Sequence, residues 1–148
     1  MSSNAVEIVA DLMTNEVATL QLNDRLSIAD DVMKLGRVRH LPVLGDDGEL
    51  VGIISQRDLL HGSLASILGY GSVARSKLLS TILVKEAMTT DPIVVDPDVS
   101  IGEAARVLTD NKIGCLPVMK GDALVGIVTE SDFVRLHDGS CVGATEDD

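Results

Sequence analysis

Apolar residues recur at Leu26, Ala29, Val32 and Met33, the spacing of a helix with one buried stripe. The period then changes. Leu41 to Leu44 and Leu50 to Ile54 are near-continuous aliphatic runs, which predict two short strands buried on both faces. Between them Gly45-Asp46-Asp47-Gly48 supplies turn chemistry for a hairpin. A further helix is predicted to start near Asp58, and Val17 to Leu22 reads as an extended lead-in. The predicted order is β-α-β-β-α. The same order returns with Ile93 to Val95 behind Pro92, a helical stripe at Ile101, Ala104, Ala105 and Leu108, and a strand Leu116 to Met119. A turn at Lys120-Gly121-Asp122, a strand Leu124 to Val128 and a helix from near Asp132 complete it. Asp11-Leu12-Met13 and Glu86-Ala87-Met88 are predicted to close short helices ahead of each unit. From Leu59 to Leu83 the aliphatic spacing predicts two helical pieces broken at Gly69-Tyr70-Gly71.

The two patterns are copies of one another. Val9 to Val43 lies on Val84 to Val118 at a constant offset of 75, without a gap. Met13-Thr14 falls on Met88-Thr89, and Leu41-Pro42-Val43 on Leu116-Pro117-Val118. One residue is lost in the turn, and Leu50 to Asp58 then matches Leu124 to Asp132. A repeat of this length is a fold-sized unit, too long for a solenoid turn. Paired units imply a cleft where they meet, and ligands favour such interfaces.

Composition narrows the function. A chain of 148 residues buries roughly 70% of the surface its unfolded form exposes, so a real core is expected. Tyr70 and Phe133 are the only aromatics, and the net charge is −11. Nucleic-acid binding wants stacking rings and an electropositive face, so it is not expected. No apolar run reaches the length of a membrane span and no signal peptide is evident, so a soluble, cytoplasmic protein without a membrane partner is expected. Cys115 and Cys141 are isolated, which implies neither a disulfide framework nor a zinc site. The tail from Asp138 is small and acidic and is expected to be disordered.

The strongest chemical candidates are Ser55-Gln56-Arg57-Asp58 and Thr129-Glu130-Ser131-Asp132, each S/T-x-x-D at a strand–helix junction. One reading is a capping box, in which hydroxyl and carboxylate satisfy free helix N–H groups. The other is a ligand site: a helix N-terminus suits phosphate, and an Asp one turn in accepts the hydroxyls of a ribose. His40 beside Arg39 reads equally as a phosphate ligand or base and as a strand-start residue. Cys115 as a nucleophile would need an activating neighbour, and a small core residue is the commoner role. Asp46, Asp47 and Glu49 lack calcium-loop spacing. No phosphate-loop, zinc-protease or nucleophile-elbow motif occurs, so neither a catalytic residue nor a metal site is assigned.

Taken together, the β-α-β-β-α order, the Leu-Pro-Val strand, the Leu-Val-Gly-Ile strand and the closing S/T-x-x-D resemble a CBS domain. Two in tandem resemble a Bateman module over roughly residues 8 to 137. The resemblance implies an α/β fold of two repeats with pseudo-twofold symmetry: residues 8–62, a helical connector 63–82, and residues 83–137. It also implies clefts between repeats that bind AMP, ADP, ATP or S-adenosylmethionine as a regulatory ligand, with no required cofactor. By that resemblance one site uses Thr89, Ile113, Gly114, Cys115, Leu116, Pro117, Thr129 and Asp132, with Arg135 or His137 available to a phosphate. The other uses Thr14, Val38, Arg39, His40, Leu41, Pro42, Ser55 and Asp58, with Arg57 alongside. Arg39 against Gly114 and Arg57 against Ser131 make the two sites unequal. A homodimer, with Leu64 to Leu83 in the contact, and an unidentified regulated protein are the expected partners. A ligand-free scaffold is the alternative.

Overall fold

The computed structural model describes the backbone of residues 6–62 and 77–138 and the side chains of residues 6–59 and 77–136. The chain divides into two compact units, and the division does not follow the repeat boundary. One unit runs from residue 18 to 92, and the other joins the segment up to residue 17 with residues from 93 onward.

In the unit 18–92, strand β1 (Leu20–Gln21) leads into helix α2 (Leu26–Gly36), strands β2 (His40–Leu44) and β3 (Leu50–Ser55), and helix α3 (Gln56–Gly62). Helix α4 (Val84–Ala87) and strand β4 (Thr89–Thr90) close it. The sheet order is β1-β2-β3-β4, parallel between β1 and β2 and antiparallel elsewhere. The helical stripe packs as its period requires: Leu26, Ala29 and Met33 are buried against Leu20, Leu41, Val43 and Ile54. Leu41, Pro42 and Val43 are all buried, as are Gly52, Ile53 and Ile54, because these strands are covered on both faces. Leu59, Leu79 and Val84 complete this core. Most of the predicted connector, with the Leu64 to Leu83 contact face, lies outside the described residues, as does the tail beyond residue 138.

The second unit repeats the plan. Helix α1 (Val9–Leu12) precedes it in sequence; helix α5 (Ile101–Asn111), strands β5 (Cys115–Lys120) and β6 (Ala123–Thr129) and helix α6 (Glu130–Asp138) follow. Beside the β5–β6 hairpin the outer strands shrink to single bridges, parallel at Val95–Val118 and antiparallel at Thr14–Ile127. These occupy the places of β1 and β4. The core gathers Val9, Val95, Ala104, Leu108, Leu116, Val118 and Val128. Ser100 caps α5, its hydroxyl accepting from the Glu103 amide at 3.1 Å. Arg37 and Lys112 end α2 and α5 in the same left-handed conformation, φ 55° at each.

Each unit is therefore completed by a lead-in segment that stands ahead of the other unit's repeat. Gly126 admits the first one. A Cβ at that position would stand 2.5 Å from Met13 Sδ and 2.9 Å from the Thr14 carbonyl oxygen. Gly52 does the same for the second, with Met88 Sδ at 2.6 Å and the Thr89 oxygen at 2.8 Å. Only a residue without a side chain allows backbone to approach the strand this closely.

Candidate functional site

Both S/T-x-x-D motifs fall where the returning strand turns into a helix. At the first, the Ser55 amide and hydroxyl donate to Asp58 Oδ2 at 2.7 and 3.0 Å, and the Asp58 amide lies 3.2 Å from the Ser55 hydroxyl oxygen. At the second, the Thr129 amide donates to Asp132 Oδ2 at 2.8 Å, and its hydroxyl is 3.4 Å away. The reciprocal capping geometry is present at the first junction, and its carboxylate half at the second. It holds a hydroxyl and a carboxylate side by side at a helix start, which is also what recognition of a sugar diol requires.

The loop before the Leu-Pro strand meets each junction. The first amide of α3 donates to the Arg39 carbonyl at 2.8 Å, and the first amide of α6 to the Gly114 carbonyl at 3.0 Å. His40 lies opposite Ser55, and Cys115 opposite Thr129, in the two hairpins. The structure thus brings Arg39, His40, Ser55 and Asp58 together in one unit, and Gly114, Cys115, Thr129 and Asp132 in the other. Val38 and Arg57 are exposed beside the first group, and Ile113 is half-buried beside the second.

The threonines are the exception to grouping by repeat. Thr14 exchanges two backbone hydrogen bonds with Ile127, at 2.9 and 3.1 Å, two residues before Thr129. Thr89 pairs with Ile53, two residues before Ser55. Within a unit, Thr14 accompanies Thr129, and Thr89 accompanies Ser55, whereas the expected set grouped Thr89 with Thr129 and Asp132. The cause is the exchange of lead-in segments. Leu41 and Leu116, expected in the sites, have their side chains in the two cores and offer only backbone. Pro42 and Pro117 are likewise buried, opposite Ile53 and Ile127.

Electrostatics separate the two carboxylates. Asp132 is only 5% exposed, and burial pushes its carboxyl above the ordinary 3.8. The Thr129 amide, the Arg135 charge and the Thr129 hydroxyl pull the other way. The Arg135 guanidinium is bonded to Asp132 Oδ1, one helical turn on. Burial alone pushes the Cys115 thiol up to about 12, so it stays protonated and unreactive near neutral pH. Among the described residues, no group of His, Cys, Asp and Glu is arranged to hold a metal ion. No described helix is long and apolar enough to cross a membrane.

The chain matches the CBS domain family twice, over residues 9–65 and 84–139, and belongs to that family. A CBS domain-containing protein of Dictyostelium discoideum is 31% identical over 130 residues, covering 87% of this chain and 90% of the relative. The solved CBS domain pair of protein MJ0100, in complex with 5′-methylthioadenosine and S-adenosyl-L-methionine, is 26% identical with a TM-score of 0.76. The alignment covers 92% of this chain and 99% of that one. The structure of CBSX2 in complex with AMP is 28% identical with a TM-score of 0.70, covering 89% and 96%. Some relatives are much longer; of one the chain spans 24%.

Proposed function

We propose that this CBS pair is a non-catalytic regulatory protein that senses an adenosyl compound: AMP, ADP, ATP or S-adenosylmethionine. The observation that carries the reading is the hydroxyl–carboxylate pair built twice, at the same strand–helix junction of each unit. In this reading Asp58 and Asp132 hold ribose, and Ser55 and Thr129 approach phosphate. Thr14 or Thr89 and the loops at Val38–His40 and Ile113–Cys115 border the base. Structures of similar chains with AMP and with S-adenosylmethionine support the ligand class. Ligand binding acts by differential affinity, shifting a conformational equilibrium that a regulated protein reads. A cytoplasmic homodimer is the form in which we place it.

Thermal unfolding with AMP, ATP and S-adenosylmethionine tests the reading. Ligand at ~100 times its dissociation constant adds about 2.7 kcal/mol, a rise of several degrees. No shift with any of the three would sink it. The alternative is a ligand-free scaffold, favoured by one observation: the carboxylate of each motif already accepts the amide of its own Ser or Thr. Asp132→Asn separates the two. A site residue loses affinity with little loss of stability; a cap loses stability with affinity per folded molecule unchanged.

A further inference from the structure

The two junctions differ in what the carboxylate already holds. At Asp58 the bonds from Ser55 both go to Oδ2. At Asp132, Oδ2 takes the Thr129 amide, and Oδ1 is occupied by Arg135. The Arg135 side chain is 52% exposed and the Asp132 side chain 6%, so the pair joins a buried carboxylate to a guanidinium with a route to solvent. In the first repeat the position corresponding to Arg135 is His61.

A ribose diol binds a carboxylate by donating to its oxygens, so it competes with Arg135 at Oδ1. The displaced guanidinium needs another anion, and a phosphate on the same ligand supplies one in bidentate geometry. A neutral thioether nucleoside supplies none. We propose that Arg135 is the specificity-determining residue of the second junction, pairing with Asp132 in the empty state and passing to the ligand phosphate on binding. This deepens, and rests on, adenosyl binding at that junction. The junction of residues 129–135 therefore selects adenosine phosphates over an uncharged adenosyl thioether.

The test is titration of the full chain with AMP and with 5′-methylthioadenosine, followed at the Thr129 and Asp132 amide resonances so that only this junction is read. Wild type should bind AMP more tightly. Arg135→Gln should weaken AMP by roughly tenfold or more, the loss of one charge-assisted hydrogen bond, and leave the thioether equal or tighter. Arg135→Lys, which keeps the charge, should recover part of the AMP affinity. An equal loss for both ligands, or unchanged AMP affinity, overturns the specificity role while leaving adenosyl binding standing. Binding of neither ligand by wild type at this junction overturns both.

Discussion

Alanine at position 126 adds one methyl group to the centre of β6, where the lead-in segment crosses. Its Cβ would stand 2.5 Å from Met13 Sδ, 2.9 Å from Met13 Cγ and 2.9 Å from the Thr14 carbonyl oxygen. The thioether can turn aside, because methionine is flexible. The carbonyl cannot, since Thr14 is held to Ile127 by hydrogen bonds at 2.9 and 3.1 Å. Gly126→Ala must strain this pairing or break it. Overpacking and weakening of two backbone bonds together cost about 2–4 kcal/mol. For a chain of this size that lowers the melting temperature by roughly 5–10 °C. Urea denaturation followed by circular dichroism gives the energy, and hydrogen exchange at Thr14 and Ile127 gives its location. Adding Met13→Ala should relieve only part of the loss, because the carbonyl contact survives. A Gly126→Ala variant within 0.5 kcal/mol of wild type, with both amides still protected, would refute the exchanged lead-in segment.

Other outcomes follow from the same contacts. The Asp132 carboxyl sits above its ordinary value in the folded chain, so the folded state holds that proton more tightly than the unfolded one. Its contribution to stability is full below pH 3.8 and is lost as pH rises through the folded value. Asp132→Asn should flatten that part of the stability–pH curve, and a curve of unchanged slope would contradict the burial argument. Cys115, held protonated by burial, should resist iodoacetamide at pH 8 in native protein and react in urea, as read by mass of the Cys115 peptide. Ser100→Ala removes the α5 cap and should cost about 1 kcal/mol in chemical denaturation, with a neutral result counting against the cap.

The repeat and its element order are legible because they rest on local patterns. Leu26, Ala29 and Met33 announce a buried helical stripe, and the aliphatic runs at Leu41 and Leu116 announce strands covered on both faces. The junctions are legible as well, since S/T-x-x-D is a capping pattern where a strand turns into a helix. The grouping of Thr14 and Thr89 is not. A glycine inside a strand signals close backbone approach, but Gly52 and Gly126 do not say which segment approaches. Copies of one sequence offer equivalent slots, so choosing the slot is a tertiary decision with no local signature. Arg135 shows the same limit: its spacing from Asp132 permits an ion pair, whereas occupation of Oδ1 depends on how deeply the carboxylate is buried.

Isothermal titration of AMP, ATP and S-adenosylmethionine into wild type and into the folded Asp58→Asn/Asp132→Asn double variant tests the adenosyl reading most directly. We expect saturable binding of at least one compound to wild type and its loss in the double variant. No binding to wild type, or equal binding to the double variant, would contradict the assignment of these two junctions.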